Sequence, residues 1–307
     1  MRRWLIGSRG SRLALWQAEH VRSALARHPG LDVQVRVIRT EGDLHADVPL
    51  TSVTQRGFFT SRIQQALLTG EVDIAVHSLK DLSVHPMAGL TVAAVTARHD
   101  PADALISRDA LTLERLPRGA TILCSCWRRT SQLLARRPDL LIQPVRGNVD
   151  TRLRTFRGNG ADAMILALAG LERLGLGDAV TQRLDPADFL PAPGQGALAV
   201  EVRQDDAAAM ELASALDDAP TNRATTAERA FLAGLGGGCQ LPAGAWARSE
   251  AGTLVLTGIL ASRDGATLLR DELRARDASA AGELGAMLAR RLLNAGGRAI
   301  LAGLTFA

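Results

Sequence analysis

The chain has no tyrosine, only 3% aromatic residues and three cysteines, and of its 36 basic residues Lys80 alone is lysine. Each shortage removes a class of protein. Scarce aromatics take away the stacking platforms on which single-stranded nucleic acid lies, and no Lys/Arg block forms a basic arm, so no nucleic-acid partner is expected. Three cysteines are too few, and the wrong parity, for a disulfide framework; a reducing, cytoplasmic setting follows. No apolar run approaches the ~18 residues that cross a bilayer, and the Arg2-Arg3 start lacks the apolar stretch of a secretory signal. Cys124 and Cys126 supply two of the four ligands a structural zinc wants. The six histidines show no spacing that would complete the set, so no metal is expected.

What is present is a chain of 307 residues, 47% hydrophobic, with a net charge of +4. That suits a globular protein of two or three domains. Arginine supplies nearly all the positive charge, and its planar fork grips carboxylates and phosphates in bidentate fashion, so anionic ligands are expected. Residues 5–8 read as a short buried strand, 13–27 as a helix, 33–38 as an alternating strand, 59–68 as a helix and 72–76 as an apolar strand. This β-α-β-α-β order predicts a parallel sheet covered by helices. The polar stretch 41–56 is long for a connection, and such loops are usually functional. The pattern restarts after Asp100-Pro101, with strands at 120–123 and 140–142, helices at 127–135 and 149–156, and a buried strand or helix start at 163–168. A Pro/Gly connection over 189–196 leads into a strand over 197–202. From about Thr221 the style changes to a helix at 225–235, strand-like runs at 253–260 and 267–273, and an amphipathic helix at 280–294.

Three places could carry chemistry. Ser78-Leu79-Lys80-Asp81 lies just past an apolar strand, and ligands of open α/β sheets gather outside the carboxyl ends of strands. A carboxylate beside an ammonium stays ionised through charge pairing and can exchange a proton with a substrate; a plain strand-end ion pair is the structural alternative. Gly236-Gly237-Gly238 precede Cys239 and leave its thiol uncrowded, which suits a nucleophile or an attachment point, or a structural cysteine after a flexible turn. The arginines Arg9, Arg128, Arg129, Arg146, Arg152 and Arg173 follow strands or open helices. Singly each is a surface charge; as a set they suit a polyanionic ligand, helped by nearby helix N-termini.

Taken in order, these segments resemble the porphobilinogen deaminase (hydroxymethylbilane synthase) family along nearly the whole chain. The matching runs include 6–11 with 13–18, Thr40-Glu41-Gly42-Asp43, Asp73 to Leu82, Arg146-Gly147-Asn148-Val149, 169–175, Leu190 to Leu198, Ala227 to Leu232 and Gly237 to Gly244. The resemblance implies a transferase of tetrapyrrole (heme, porphyrin) biosynthesis that joins four porphobilinogen units head to tail, releases ammonia and yields a linear hydroxymethylbilane. It implies a dipyrromethane cofactor bound covalently through Cys239, with Asp81 catalytic. It matches Lys80, Ser78, Cys126, Arg128, Arg129, Arg146 and Gln195 to cofactor binding, and Arg9, Ser11, Arg146, Arg152 and Arg173 to the substrate's acetate and propionate groups. The implied fold class is α/β: two periplasmic-binding-protein-like α/β domains, at 1–97 with 196–218 and at 102–190, plus a small α+β domain at 221–307 carrying the cysteine. The implied state is a monomer, and 41–56 matches the family's active-site lid.

The chain departs from the family near these positions. Where the family commonly reads Gly-Thr-Ser-Ser-Leu-Arg-Arg, residues 123–129 read Leu-Cys-Ser-Cys-Trp-Arg-Arg, exchanging hydroxyls for thiols, which are weaker donors. Ser61, Arg62 and Gln64 stand where a lysine and two acids are usual, Ser83 replaces a proline and Gly236 a glutamate. A divergent paralogue with altered substrate, chain length or turnover, and a non-enzymatic small-anion binder on the same fold, are the alternatives. A tethered cofactor separates the enzyme from the binder.

Overall fold

The computed structural model describes residues 2–27, 30–38, 61–238, 240–276 and 280–304. The 41–56 stretch and Cys239 therefore lie outside the described residues. The chain forms two compact units, 1–99 with 196–222, and 100–195 with 223–307.

In the first unit, Ser11 caps a helix α1 (Arg12–Leu25) by accepting from the Ala14 amide at 3.3 Å, and Ala18, Val21 and Leu25 give that helix its buried stripe. Strands β1 (Arg3–Ser8), β2 (Asp32–Val37) and β3 (Ile74–Ser78) are parallel, as the β-α-β-α-β pattern predicts, with α2 (Ser61–Leu68) preceding β3. The sheet is nonetheless mixed, which corrects the expected all-parallel one. Beyond β3 comes β10 (Leu198–Arg203), antiparallel both to β3 and to β4 (Leu90–Val95), for the order β2-β1-β3-β10-β4.

The second unit holds two sheets. Strands β5 (Asp103–Ser107), β6 (Thr121–Leu123), β7 (Leu141–Gln143), β8 (Ala163–Ala167) and β9 (Gln182–Leu184) lie in the order β7-β6-β8-β5-β9. Helices α3 (Trp127–Arg136), α4 (Val149–Gly158) and α5 (Leu168–Arg173) follow β6, β7 and β8 in turn. The two five-stranded sheets share one plan: three parallel strands ordered second-first-third, one antiparallel strand, then a fourth. The antiparallel member is the last strand of the first sheet, β10, and the first strand of the second, β5.

The remaining sheet is the antiparallel trio β11 (Ala243–Glu250), β12 (Thr253–Ala261) and β13 (Leu268–Ala275). It follows α7 (Ala219–Gly234) in the chain, with α6 (Ala207–Ser214) before that and α8 (Ala281–Leu292) after the sheet. Phe231, Leu256, Leu260 and Leu288 form its core. Glu228 on α7 is fully buried and accepts from the Gly194 amide at 2.7 Å and the Ala247 amide at 2.8 Å, tying the Pro/Gly connection to β11. Two α/β domains and a small α+β domain are thus present, as expected. Among the described residues no helix is long and apolar enough to cross a membrane.

Candidate active site

In the first unit the chemistry gathers where β3 ends. Its first four residues, Ile74-Ala75-Val76-His77, are buried, and the strand passes directly into a single 3-10 turn over Leu79–Asp81. Leu79 anchors that turn from the core: its side chain is buried and its amide donates to the Ala197 carbonyl at 3.0 Å. With three residues per turn, neighbours on a 3-10 helix point about 120° apart. Asp81 is consequently exposed and makes no ion pair among the described residues, while Lys80 is half-buried. The expected ion pair between Asp81 and its neighbouring ammonium is not formed. Ser78 is fixed from below by Gln17, a buried residue of α1 whose Nε2 donates to Ser78 Oγ at 2.8 Å. Arg9 and Ser11 follow β1, and Ser11 is committed in part to capping α1.

Behind the turn, His77 and Glu201 are both buried with Nε2 and Oε2 3.2 Å apart, and Gln64 Nε2 donates to Glu201 Oε1 at 2.9 Å. This gives the Gln64 departure a reason. An amide donates to a buried carboxylate directly, whereas a second acid there would need a shared proton.

In the second unit the arginines stand at the carboxyl ends of the three adjacent parallel strands. Arg128 and Arg129 follow β6, Arg146 and Arg152 follow β7, and Arg173 ends the helix after β8. Ser125 binds the first two loops together, its Oγ donating to the Val145 carbonyl and accepting from the Val145 amide, both at 2.7 Å. Beyond Val145, Gly147 takes φ 95° and Asn148 caps α4 by accepting from the Thr151 amide at 2.9 Å. A side chain on Gly147 would bring its Cβ within 2.6 Å of Thr151. Arg152 Nε donates to the Gly147 carbonyl at 2.7 Å, so this arginine also shapes the loop. Burial pushes the Arg173 guanidinium down to about 10 and lowers that of Arg146, yet both remain cations at neutral pH.

Arg128 and Arg129 are buried, and both are bonded to Asp103, which is completely buried. Burial would raise the Asp103 carboxyl, but the two guanidinium charges overcome it and hold the group well below the usual carboxylate range. Gln195 reaches the same carboxylate, with Nε2 2.9 Å from Oδ1, and also donates to the Pro101 carbonyl at 2.7 Å. Cys126 sits at the N-cap of α3, partly exposed, and its thiol makes no capping bond. Burial raises that thiol, but Arg128 and Arg129 outweigh it and set the net shift downward. Cys124 is buried, accepts from Thr130 Oγ1 at 3.7 Å, and is pushed up by burial. Trp127 has a partner of its own: the Arg263 guanidinium lies 4.5 Å above its ring centroid.

Sequence reasoning had assigned nothing to Asp103, Ser125 or Gln17. Among the described residues no group of three or more His, Cys, Asp and Glu is placed to hold a metal ion.

The fold and these features define a class: a protein with two α/β domains, one bearing an exposed carboxylate at a strand end and the other a set of arginines after three parallel strands, a set suited to carboxylates. Comparison with known proteins narrows it. Residues 4–211 match the family model described as "Porphobilinogen deaminase, dipyromethane cofactor binding domain", and residues 223–294 match "Porphobilinogen deaminase, C-terminal domain". The porphobilinogen deaminase of Roseiflexus sp. (strain RS-1) is 47% identical over 300 residues, covering 97% of this chain and 98% of that protein. That of Trichlorobacter lovleyi is 48% identical, covering 98% and 96%. That of Thermus thermophilus is 47% identical, covering 98% and 99%. The chain belongs to the porphobilinogen deaminase family.

The residues present fit the family's cofactor. A dipyrromethane brings carboxylates, and the second unit offers guanidinium groups; among the described residues the buried Arg128 Nε finds no acceptor.

Proposed function

We propose that this chain condenses four porphobilinogen units head to tail, releasing ammonia and forming hydroxymethylbilane, on a dipyrromethane carried by Cys239. The observation that carries the reading is the pairing of features within one family member: an exposed Asp81 on a rigid strand-end turn, and arginines after β6, β7 and β8. When bound, the dipyrromethane supplies the pyrrole carbon from which the product grows. The chain's own residues do the rest. Asp81, reachable by substrate, assists departure of the aminomethyl nitrogen and steadies positive charge on pyrrole nitrogen. Lys80, on the same turn, and Ser78, at the end of β3, precede it and contribute to holding the cofactor. Arg128, Arg129 and Arg146 hold cofactor carboxylates, with Cys126 and Gln195 beside the first pair, while Arg9, Ser11, Arg146, Arg152 and Arg173 orient substrate acetates and propionates. Asn148 and the α4 N-terminus add favourable field for anions.

The working unit is taken as a cytoplasmic monomer that needs no nucleic acid or metal. It comprises three domains, at 1–97 with 196–218, at 102–190 and at 221–307. The separate five-stranded and three-stranded sheets of the second unit support the last division.

Two measurements test this reading. Intact mass of the denatured protein, with the adduct mapped by digestion, is expected to show a dipyrromethane-sized addition on Cys239. A chain that stays unmodified after incubation with porphobilinogen or preformed hydroxymethylbilane would favour the small-anion binder. Asp81→Asn is expected to fold and carry the adduct while losing nearly all turnover of porphobilinogen; wild-type rates in that variant would remove Asp81 from the chemistry.

A further inference from the structure

Two neighbouring guanidinium groups, with side chains only 3% and 8% exposed, are buried together at the start of α3. Bare, they would repel strongly in a medium of low polarity. Asp103, the first residue of β5, lies between them. Its Oδ2 accepts from Arg128 Nη1 at 2.6 Å, and its Oδ1 accepts from Arg129 Nε at 3.0 Å and Nη2 at 2.7 Å. Arg128 Nη1 is shared with the Leu190 carbonyl at 2.7 Å, and Gln132 bonds the same stretch by accepting from the Leu190 amide at 2.7 Å. Both arginines are therefore held in fixed planes.

The arrangement is not closed. One carboxylate against two guanidinium groups leaves one positive charge in excess. Arg128 Nε is buried with no acceptor among the described residues, and a buried donor left unmet is unfavourable. Surplus charge and open donor both call for one further carboxylate, and none of the chain's described acids supplies it.

We propose that Asp103 is a positioning residue for the cofactor site: it locks Arg129 in place and turns Arg128 so that its open Nε and the surplus charge face one carboxylate of the bound dipyrromethane. This rests on the reading that Arg128 and Arg129 hold cofactor carboxylates. Asp103 itself touches neither cofactor nor substrate.

The test uses full-length protein and two readouts, thermal unfolding and the intact mass of the denatured chain. Asp103→Asn and Arg128→Gln are expected to fold and to lose most of the dipyrromethane-sized mass addition. Gly258→Ala serves as a control for destabilisation alone: its new Cβ would meet the Phe231 ring at 2.9 Å, inside the third sheet's core. That variant is expected to lose thermal stability yet stay loaded. Full loading of Arg128→Gln would defeat the cofactor reading itself, whatever Asp103 does. An empty Arg128→Gln beside a folded, fully loaded Asp103→Asn would overturn the positioning role and leave Asp103 purely structural, as would a Gly258→Ala control that empties in step with its loss of stability. If Asp103→Asn does not fold, the double variant Asp103→Asn/Arg129→Gln decides, because it removes the uncompensated charge. The double is expected to fold and to remain mostly empty, since Arg128 has lost its anchor. A folded and fully loaded double variant, or one that is still unfolded, would sink the proposal.

Discussion

Two thiols separated by one residue show how far local electrostatics divides like groups. Cys124 is sealed in the core, where burial disfavours its thiolate; Cys126 sits at a helix start beside two guanidinium groups that favour it. Both positions carry hydroxyls in the commonly seen family pattern, so the exchange to sulfur has different consequences at each. Reactivity follows the thiolate and its access. Cys126 is expected to react with iodoacetamide in the native protein at pH values below ~8.5, where an ordinary free thiol is mostly protonated, while Cys124 stays unlabelled until the protein unfolds. Peptide mapping across a pH series checks this, and equal labelling of the two thiols would contradict it. Asp81, Lys80 and the arginines were legible in the sequence because they stand beside strand ends. Asp103 was not, because nothing in a linear sequence says that an acid at residue 103 lies between arginines at 128 and 129. The same holds for Gln17 under Ser78, and for Ser125 joining two loops. These are contacts across sequence separations of 20 to 61 residues, and they close only when the sheets form.

Among the elements, the apolar strands β1 and β3, the helices α1, α3, α4 and α8, and the restart after Pro101 could all be read from periodicity. The run over 163–168 was ambiguous between strand and helix, and it is both: β8 ends at Ala167 and α5 begins at Leu168. The strands β4, β5, β9 and β11 were not read from the sequence. β11 is Ala-Gly-Ala-Trp-Ala-Arg-Ser-Glu, poor in β-branched residues, and it is a strand because eight register pairs with β12 fix it. β10 was read as a strand, over 197–202, but its antiparallel pairing with β3 across more than a hundred residues, which makes the sheet mixed, is not revealed by local pattern. The turn between β12 and β13 shows a constraint of the same kind. Gly265 takes φ 72°, and a Cβ there would lie 2.5 Å from the Ala135 amide nitrogen and 2.6 Å from the Ser131 carbonyl, both in the backbone of α3. Gly265→Ala combines a left-handed backbone with a clash against atoms that cannot rotate away, at a cost of about 1–3 kcal/mol. Thermal unfolding is expected to show the loss; an unchanged midpoint would mean that the turn can swing off the helix at no cost.

For the molecule as a whole, charge balance governs behaviour in acid. Thirty-two acidic residues oppose 36 basic ones at neutral pH, and protonating the acids leaves the arginines to repel one another. Asp103 is completely buried, and its carboxyl is held well below its ordinary value of 3.8 by Arg128 and Arg129 against the opposing effect of burial. A carboxyl depressed in the folded state contributes stability that is fully present above its unfolded value and is lost as pH falls toward the folded one. The wild-type second unit is therefore expected to lose stability steadily below about pH 4 as Asp103 takes up its proton. Asp103→Asn carries no such proton, so it starts lower at neutral pH, by about 3–5 kcal/mol for a buried pair deprived of one partner, and declines less in acid. Urea unfolding of wild type and variant, followed by circular dichroism at neutral pH and at steps down to about pH 2, measures the gap directly. The gap is expected to shrink with falling pH. A gap that stays constant over that range would mean that Asp103 contributes shape and packing alone, and that the buried arginine pair is held apart by something other than its charge.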